Sequence, residues 1–454
     1  MPAVNGTLTS RWVSGFVFPL QERLKGHDTV SRRRALEKSQ WWSTDELERF
    51  RVAHLRDFLL DVSTHVPYYR RLFAEIRFNP ASVESLADLA RIPLLDKPLI
   101  RANLQHLRSD DASILQRYNT GGSSGEPLVF YMGKDRISHD VAAKWRATRW
   151  WGVDIGDAEV VVWGSPIELG AQDRFRQIRD RLLRTKLLPA FEMSAAKLDT
   201  FVAEIRAMRP RMVFGYPSAL AHIARHAENR GQRLDDLGIK VAFVTSERLY
   251  DDQRAQIART FGCAVANGYG GRDAGFIAHE CPQGGMHTSA EDIVVEIVNS
   301  AGEILPAGES GEIVVTHLAT REFPFIRYRT GDVGVLRSRP CPCGRGLPML
   351  DKIEGRSTDF VIAEDGTVMH GLALIYVLRD LPEITSFKII QESRQQVRVQ
   401  IVSALPLAPV IEARIRDGFR ARLGKGVDVL IEPVSEIKPE RSGKFRYVVS
   451  HALP

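Results

Sequence analysis

From about residue 115 the chain alternates two hydrophobic periods, and this restricts its fold more than any other feature. Runs rich in β-branched residues, Glu159–Trp163 (EVVVW), Met212–Phe214 (MVF) and Lys240–Thr245 (KVAFVT), are interleaved with amphipathic segments such as Ala195–Met208 and Asp251–Phe261. Such interleaving predicts parallel strands joined by helical crossovers, an α/β body. From 290 to 337 strands dominate: Ile293–Val298, Gly311–Thr316 and Gly334–Leu336 are separated by Gly, Pro and Asn, which suits hairpins or a small barrel closing the large domain. After Gly355 the pattern restarts, with strand-like Phe360–Ile362 and Val397–Val402 beside helical Gly371–Arg379 and Leu407–Leu423, a small α+β domain. The boundary is expected in GRSTD, 355–359, giving a large domain at 1–355 and a small one at 356–454. Near the start, Leu47, Phe50, Leu55, Phe58, Leu59 and Val62 recur at helical spacing and predict a helix over 45–75 with a turn at Pro67.

At 454 residues the chain needs more than one core, and with 44% hydrophobic residues and no repeat it should fold throughout. A net charge of +6 is modest, and the basic residues of Arg174–Arg184 (RFRQIRDRLLR) fall at the spacing of a solvated helix face, so nucleic acid is set aside as a partner. No run reaches the roughly 20 apolar residues of a membrane span, and no secretory signal pattern stands at the start, so a cytoplasmic location is expected. Trp12–Leu20 (WVSGFVFPL), followed by QERLK, reads as packing on the body of the protein, with docking on a membrane surface as the other reading. A homodimer is left open.

Tyr118–Leu128, YNTGGSSGEPL, holds the most suggestive local chemistry. Gly121, Gly122 and Gly125 let backbone N–H groups turn inward on one anion, while Thr120, Ser123 and Ser124 add hydroxyl donors, as a triphosphate requires. No Gly-Lys-Ser/Thr follows, so this is not a Walker A loop. Cys281 and His287 in CPQGGMH, with Cys341 and Cys343 in CPC, offer three thiolates and an imidazole, a closed tetrahedral set for structural Zn²⁺; His279 is a competing imidazole. Cys263 reads as core.

Further motifs follow in order: NGYGGRDAG (267–275), YRTGDVG (328–334), IEGRSTD (353–359) and SGKFR (442–446). Together with the Gly/Ser loop they resemble the core motifs of the adenylate-forming superfamily of acyl-CoA synthetases, nonribosomal peptide adenylation domains and luciferases. HVPYYRRLF (65–73), GYPSAL (215–220), Ser246-Glu247, CPQGGMH and FPFIRYRTGD (323–332) are most similar to the phenylacetate-CoA ligase group and its CapK-like branch. The resemblance implies an α/β adenylation domain with a small mobile C-terminal domain.

The same resemblance implies ATP-dependent activation of a carboxylic acid as its acyl-adenylate, followed by transfer to coenzyme A. Transfer to an amine, a sugar hydroxyl or a carrier-protein thiol is the alternative; a non-catalytic nucleotide-binding assembly protein is a second. Lys444 matches the catalytic lysine that bridges carboxylate and α-phosphate. Asp332 matches the acceptor of the ribose hydroxyls, and Arg356 a contact to ribose and phosphate. Asp273 stands where relatives carry a glutamate that helps hold Mg²⁺; the shorter carboxylate can still ligate a hard cation. Thr120 to Gly125, Ser246, Glu247, Tyr269 and Gly270 would line the nucleotide. Tyr216, Pro217, Ser246 and Gly268 would line the acyl pocket, where no charged partner stands out, favouring an apolar or aromatic acid. Thr358 or Asp359 would be the hinge pivot. Zinc at positions matching Cys281, His287, Cys341 and Cys343 occurs in some relatives, whose spacing favours His287 over His279.

Overall fold

A computed structural model describes residues 8–120, 128–163, 179–190, 193, 195–356, 360–365, 368–370, 372–379, 381–437 and 446–452. The chain separates into two compact units, Met1–Thr330 with Gly334–Ile353, and Gly331–Val333 with Glu354–Pro454.

The first unit begins with α1 (Leu8–Trp12), which runs through a π-helical turn (Val13–Val17) into α2 (Phe18–Leu24). Then come α3 (Thr29–Ser39), α4 (Thr44–His65), α5 (Pro67–Glu75) and α6 (Lys97–Ala102). A reciprocal cap fixes the start of α4: Ser43 Oγ accepts the Glu46 N–H, and the Glu46 carboxylate accepts the Ser43 N–H. The expected 45–75 helix is two helices, because Pro67 opens α5 as its first residue, where a missing N–H is no loss. Leu55, Phe58, Leu59 and Val62 of α4 share a core with Tyr69 and Phe73 of α5 and with Phe325 and Tyr328.

A hairpin, β1 (Gln116–Asn119) and β2 (Val129–Met132), precedes α7 (Lys134–Trp150). A ladder of strands and helical crossovers follows, with β3, β5, β6, α8 and α10 as expected: β3 (Glu159–Trp163), β4 (Thr185–Pro189), α8 (Ala195–Met208), β5 (Met212–Gly215), α9 (Pro217–Asn229), β6 (Val241–Thr245), α10 (Asp251–Phe261) and β7 (Ala264–Gly271). β8 (Gly275–Glu280), β9 (Met286–Thr288), β10 (Ile293–Val298), β11 (Ser310–His317), β12 (Phe325–Arg337) and β13 (Met349–Arg356) complete one sheet, in the order β10-β11-β12-β13-β9-β8-β7-β6-β5-β3-β4. Strands β4, β3, β5, β6 and β7 are mutually parallel, whereas β7–β8, β8–β9, β9–β13 and β10–β11 are antiparallel. The strand-rich segment is thus the antiparallel end of the same sheet. The Thr-Gly-Asp sequence lies inside the 13-residue β12 rather than between short strands. Gly334 permits this, since a Cβ there would stand 2.9 Å from the Lys352 carbonyl oxygen.

No hydrophobic period announces α7, because its buried side mixes Arg136, His139 and Arg146 with Ala142, Ala143, Trp145 and Ala147. Arg146 donates to Glu291 Oε1 at 2.6 Å, Ser39 Oγ donates to the same oxygen, and Arg136 Nε meets Asp140 at 2.9 Å. Buried charge of this kind is tolerated only when it is paired. Arg327 of β12 and Glu296 of β10 form a second buried pair at 3.1 Å; Arg327 also donates to the Ala90, Ile92 and Gly302 carbonyls.

The second unit contains a hairpin, β14 (Phe360–Ile362) and β15 (Val368–His370), then α11 (Leu372–Arg379), β16 (Ile384–Gln391), β17 (Gln396–Ser403), α12 (Pro409–Leu423), β18 (Asp428–Pro433) and β19 (Val448–Ser450). Its sheet order is β18-β17-β16-β19. Buried Gln391 knits the unit together: its amide pairs with both the N–H and the C=O of Ile362 and accepts from Ser450 Oγ. Both units match the mixed α/β class expected from the sequence.

Candidate active site

The carboxyl ends of parallel strands are where open α/β sheets bind ligands, and some of the expected site residues lie there. Trp163 ends β3, Tyr216 follows β5, Ser246 and Glu247 follow β6, and β7 carries Gly268 to Gly270. Ser246 holds a left-handed backbone (φ 71°), an uncommon conformation for a residue with a side chain. Glu247 then reaches the first turn of α9, where its Oε2 accepts the Ser218 N–H at 3.2 Å; a carboxylate is favoured at that positive helix end. Pro217 opens α9.

Aromatic rings floor the β3–β6 end. The Trp163 ring stacks on Tyr216 at 4.3 Å and on Phe214 at 5.8 Å, and Phe214 stacks on Phe243. A Cβ on Gly268 would come within 2.8 Å of the Phe243 ring, so only glycine lets β7 pass it. Trp163 was not singled out in the sequence, where it looked like the last residue of a buried strand.

The β7–β8 hairpin places the expected acidic residue. Its arms approach so closely that a Cβ on Gly270 would be 2.1 Å from the Gly275 carbonyl oxygen, and Arg272 to Ala274 make the turn. Asp273 is held at both oxygens: Oδ1 accepts the Ala274 N–H at 3.1 Å and Oδ2 accepts the buried Tyr328 hydroxyl at 2.7 Å. Arg136 supports the turn from below through the Arg272 and Asp273 carbonyls. Tyr269 Oη reaches Thr330 Oγ1 at 3.5 Å, which joins β7 to the start of Thr-Gly-Asp.

The same turn meets the Gly/Ser loop. Arg272 Nη1 donates to the Asn119 carbonyl at 3.2 Å. Thr120 closes the loop's base, its N–H donating to the Leu128 carbonyl and its Oγ1 accepting the Leu128 N–H, both at 2.9 Å. The Thr120 hydroxyl proton is therefore still available for an anion. Gly121, Gly122, Ser123, Ser124 and Gly125 lie outside the described residues, as do Lys444, Thr358 and Asp359. Asp332 is half-buried in Gly331–Val333, part of the second unit, and Arg356 ends β13 with its side chain outside the described residues.

The cysteine–histidine set converges in the first unit. One ligand atom from each of Cys281, His287, Cys341 and Cys343 lies within 4.8 Å of the others; His279 faces Phe276 instead. The Cys281 and Cys341 sulfurs are 3.7 Å apart, the separation that Zn–S bonds of about 2.3 Å give at a tetrahedral centre. Cys343 Sγ is 3.2 Å from His287 Nε2, and His287 Nδ1 donates to the Leu347 carbonyl, which leaves Nε2 its lone pair. Burial pushes the Cys281 thiol up to about 12 and the His287 imidazole down to about 4. A bound cation favours both thiolate sulfur and neutral imidazole, so these donors fit zinc. A second group, His139, Asp140 and His317, does not: His317 Nδ1 accepts the Ala319 N–H, so its ring proton sits on Nε2, facing Asp140.

Residues 361–451 match the CapK C-terminal domain. The chain is 27% identical to a phenylacetate-coenzyme A ligase of Pseudomonas putida over 73% of its length and 75% of the relative's. It is 22% identical to Protein CapK of Staphylococcus aureus, over 81% of each chain. Its fold is shared with a 2-hydroxyisobutyryl-CoA ligase crystallised in the postadenylation state with an acyl-AMP (TM-score 0.74, 20% identity, 91% of each chain). Sequence relatives, domain match and fold together support a likeness to the phenylacetate-CoA ligase/CapK-like group of the adenylate-forming ligases.

Proposed function

We propose that this AMP-forming ligase activates an apolar or aromatic carboxylic acid with ATP and passes the acyl group to coenzyme A. The observation that carries the reading is the Arg272–Asn119 hydrogen bond, which sets the base of the Gly/Ser loop against the turn bearing Asp273. In the first step a carboxylate oxygen attacks the α-phosphorus, the bond from that phosphorus to the bridging oxygen breaks, and pyrophosphate leaves. The work of the protein is to position two anions and offset the charge that develops between them. Thr120 and the loop's N–H groups would hold phosphate oxygens, Asp332 the ribose, and Lys444 the attacking carboxylate and α-phosphate. Asp273, fixed by Tyr328, would hold Mg²⁺, which supplies charge neutralisation at the phosphates. In the second step the acceptor sulfur attacks the acyl carbon and AMP departs.

The Trp163–Tyr216 stack supports a flat or apolar acid, since an aromatic floor rewards ring faces. The likeness to CapK motivates a second reading, in which the acyl group goes to an amine, a sugar hydroxyl or a carrier-protein thiol. Acid-dependent pyrophosphate release, followed with and without coenzyme A across a panel of aryl, fatty and amino acids, separates the two. Thioester formation on adding coenzyme A supports the first reading; turnover that ignores coenzyme A removes it.

A further inference from the structure

Among the described residues, the first helical rod, α1 through α2, is attached by one face only. Ser10 Oγ donates to Asp157, Val13 lies over Gly156, where a Cβ would approach to 2.5 Å, and Phe18 meets the edge of Trp145 at 5.1 Å. Glu22 is buried and paired with Thr29, His27 and Lys25. These contacts fix which side of the rod faces out.

On that outer side stands an unbroken apolar stripe. Leu8, Trp12, Phe16, Leu20 and Leu24 follow one another at four-residue intervals and are 86%, 57%, 59%, 48% and 81% exposed. On a helix of 3.6 residues per turn each such step overshoots a full turn by about 40°, so five residues would spiral away from one face. The wider π turn at Val13–Val17 winds part of that drift back and keeps the stripe on one side. The charges beside it have one sign. Between Leu8 and His27 the exposed charged residues are Arg11, Arg23 and Lys25, and the sole acid of the stretch is the buried Glu22.

We propose that this stripe is a docking surface for an anionic lipid bilayer, on which the rod lies in the plane of the headgroups. Leu, Trp and Phe would enter the acyl boundary and the two arginines would meet the phosphates, as interfacial amphipathic helices do. A second copy of the chain is the competing occupant. Cations flanking the stripe argue against it, because a symmetric pairing of two such faces brings like charges together. The proposal is independent of the adenylation reading, since no site residue lies on the rod.

The test is flotation of the full chain with vesicles of phosphatidylglycerol and phosphatidylcholine against vesicles of phosphatidylcholine alone, with sedimentation velocity run in parallel. Expected is binding to the anionic vesicles that weakens with added salt. It should fall at least about tenfold in Trp12→Ser/Phe16→Ser and again in Arg11→Glu/Arg23→Glu, with wild-type circular dichroism and monomer size unchanged. All four positions are exposed, so these variants should fold. Absence of vesicle binding, binding indifferent to both pairs of substitutions, or a wild-type dimer that Trp12→Ser/Phe16→Ser converts to monomer would each overturn the proposal.

Discussion

The hydroxyl of Tyr328, a fully buried residue of β12, donates to Asp273 Oδ2 at 2.7 Å, so a residue of the core sets the direction of the carboxylate expected to hold Mg²⁺. Tyr328→Phe removes the hydrogen bond to Asp273 and little volume. Its expected effect on stability is about 1 kcal/mol. Supporting hydrogen bonds to metal ligands are worth more to the metal, so pyrophosphate release at limiting Mg²⁺ should fall by about tenfold and recover as Mg²⁺ is raised. Asp273→Asn should not recover, and a Tyr328→Phe enzyme with unchanged Mg²⁺ dependence would remove the assigned role of Asp273.

Lys444→Ala should lower acyl-adenylate formation by about 10²- to 10³-fold, since the ammonium group is assigned to charge that develops in the transition state. ATP affinity, measured by equilibrium binding, should change only by a modest factor. Full activity would take the catalytic lysine out of the mechanism.

Metal analysis of the purified protein should return one zinc per chain, bound by Cys281, His287, Cys341 and Cys343. Cys341→Ser should lose the metal and lower the melting temperature, while Cys263→Ser should keep it. Zinc should also dissociate as the pH falls, because protons compete for its ligands. A metal-free wild type of full stability would refute the site.

Burial, reinforced by the charge of Arg136, pushes the His317 imidazole down to about 3. In the unfolded chain the same ring titrates near 6.5. Below that pH the unfolded state takes up a proton that the folded state refuses. Stability from this group is therefore complete above pH 6.5 and is lost as the pH falls from there toward 3. Between pH 6.5 and pH 5 the loss approaches about 2 kcal/mol. Urea unfolding of wild type and His317→Asn at pH 7 and pH 5 checks this; the variant should show the smaller change.

What the sequence disclosed follows from which interactions are local. Strands β3, β5 and β6 and helices α8 and α10 were legible because β-branched runs and helical periods repeat within short windows, and β12 was underestimated because Gly331 and Gly334 read as punctuation. Helix α7 gave no hydrophobic period, since it buries Arg136, His139 and Arg146 against partners as distant as Glu291. The cysteine–histidine set was visible through its paired spacing and its Gly and Pro neighbours. Arg272 was passed over, because its role depends on Asn119, 153 positions away, which no local pattern connects to it. Trp163 escaped for a similar reason: its partner Tyr216 follows a different strand.

The Arg327–Glu296 pair also bears on how this chain avoids its own neighbours. β10 is a terminal strand of the eleven-strand sheet, and its sequence, IVVEIV, is β-branched throughout except for Glu296. Without a charge at its centre such a hexapeptide has the makings of a steric zipper, open to strand addition from another molecule while the nascent polypeptide is still incomplete. Any non-native stacking of that strand would have to bury a carboxylate with no guanidinium opposite it. The ion pair therefore acts as a gatekeeper, satisfied only in the native register and penalising every aggregate that lacks it.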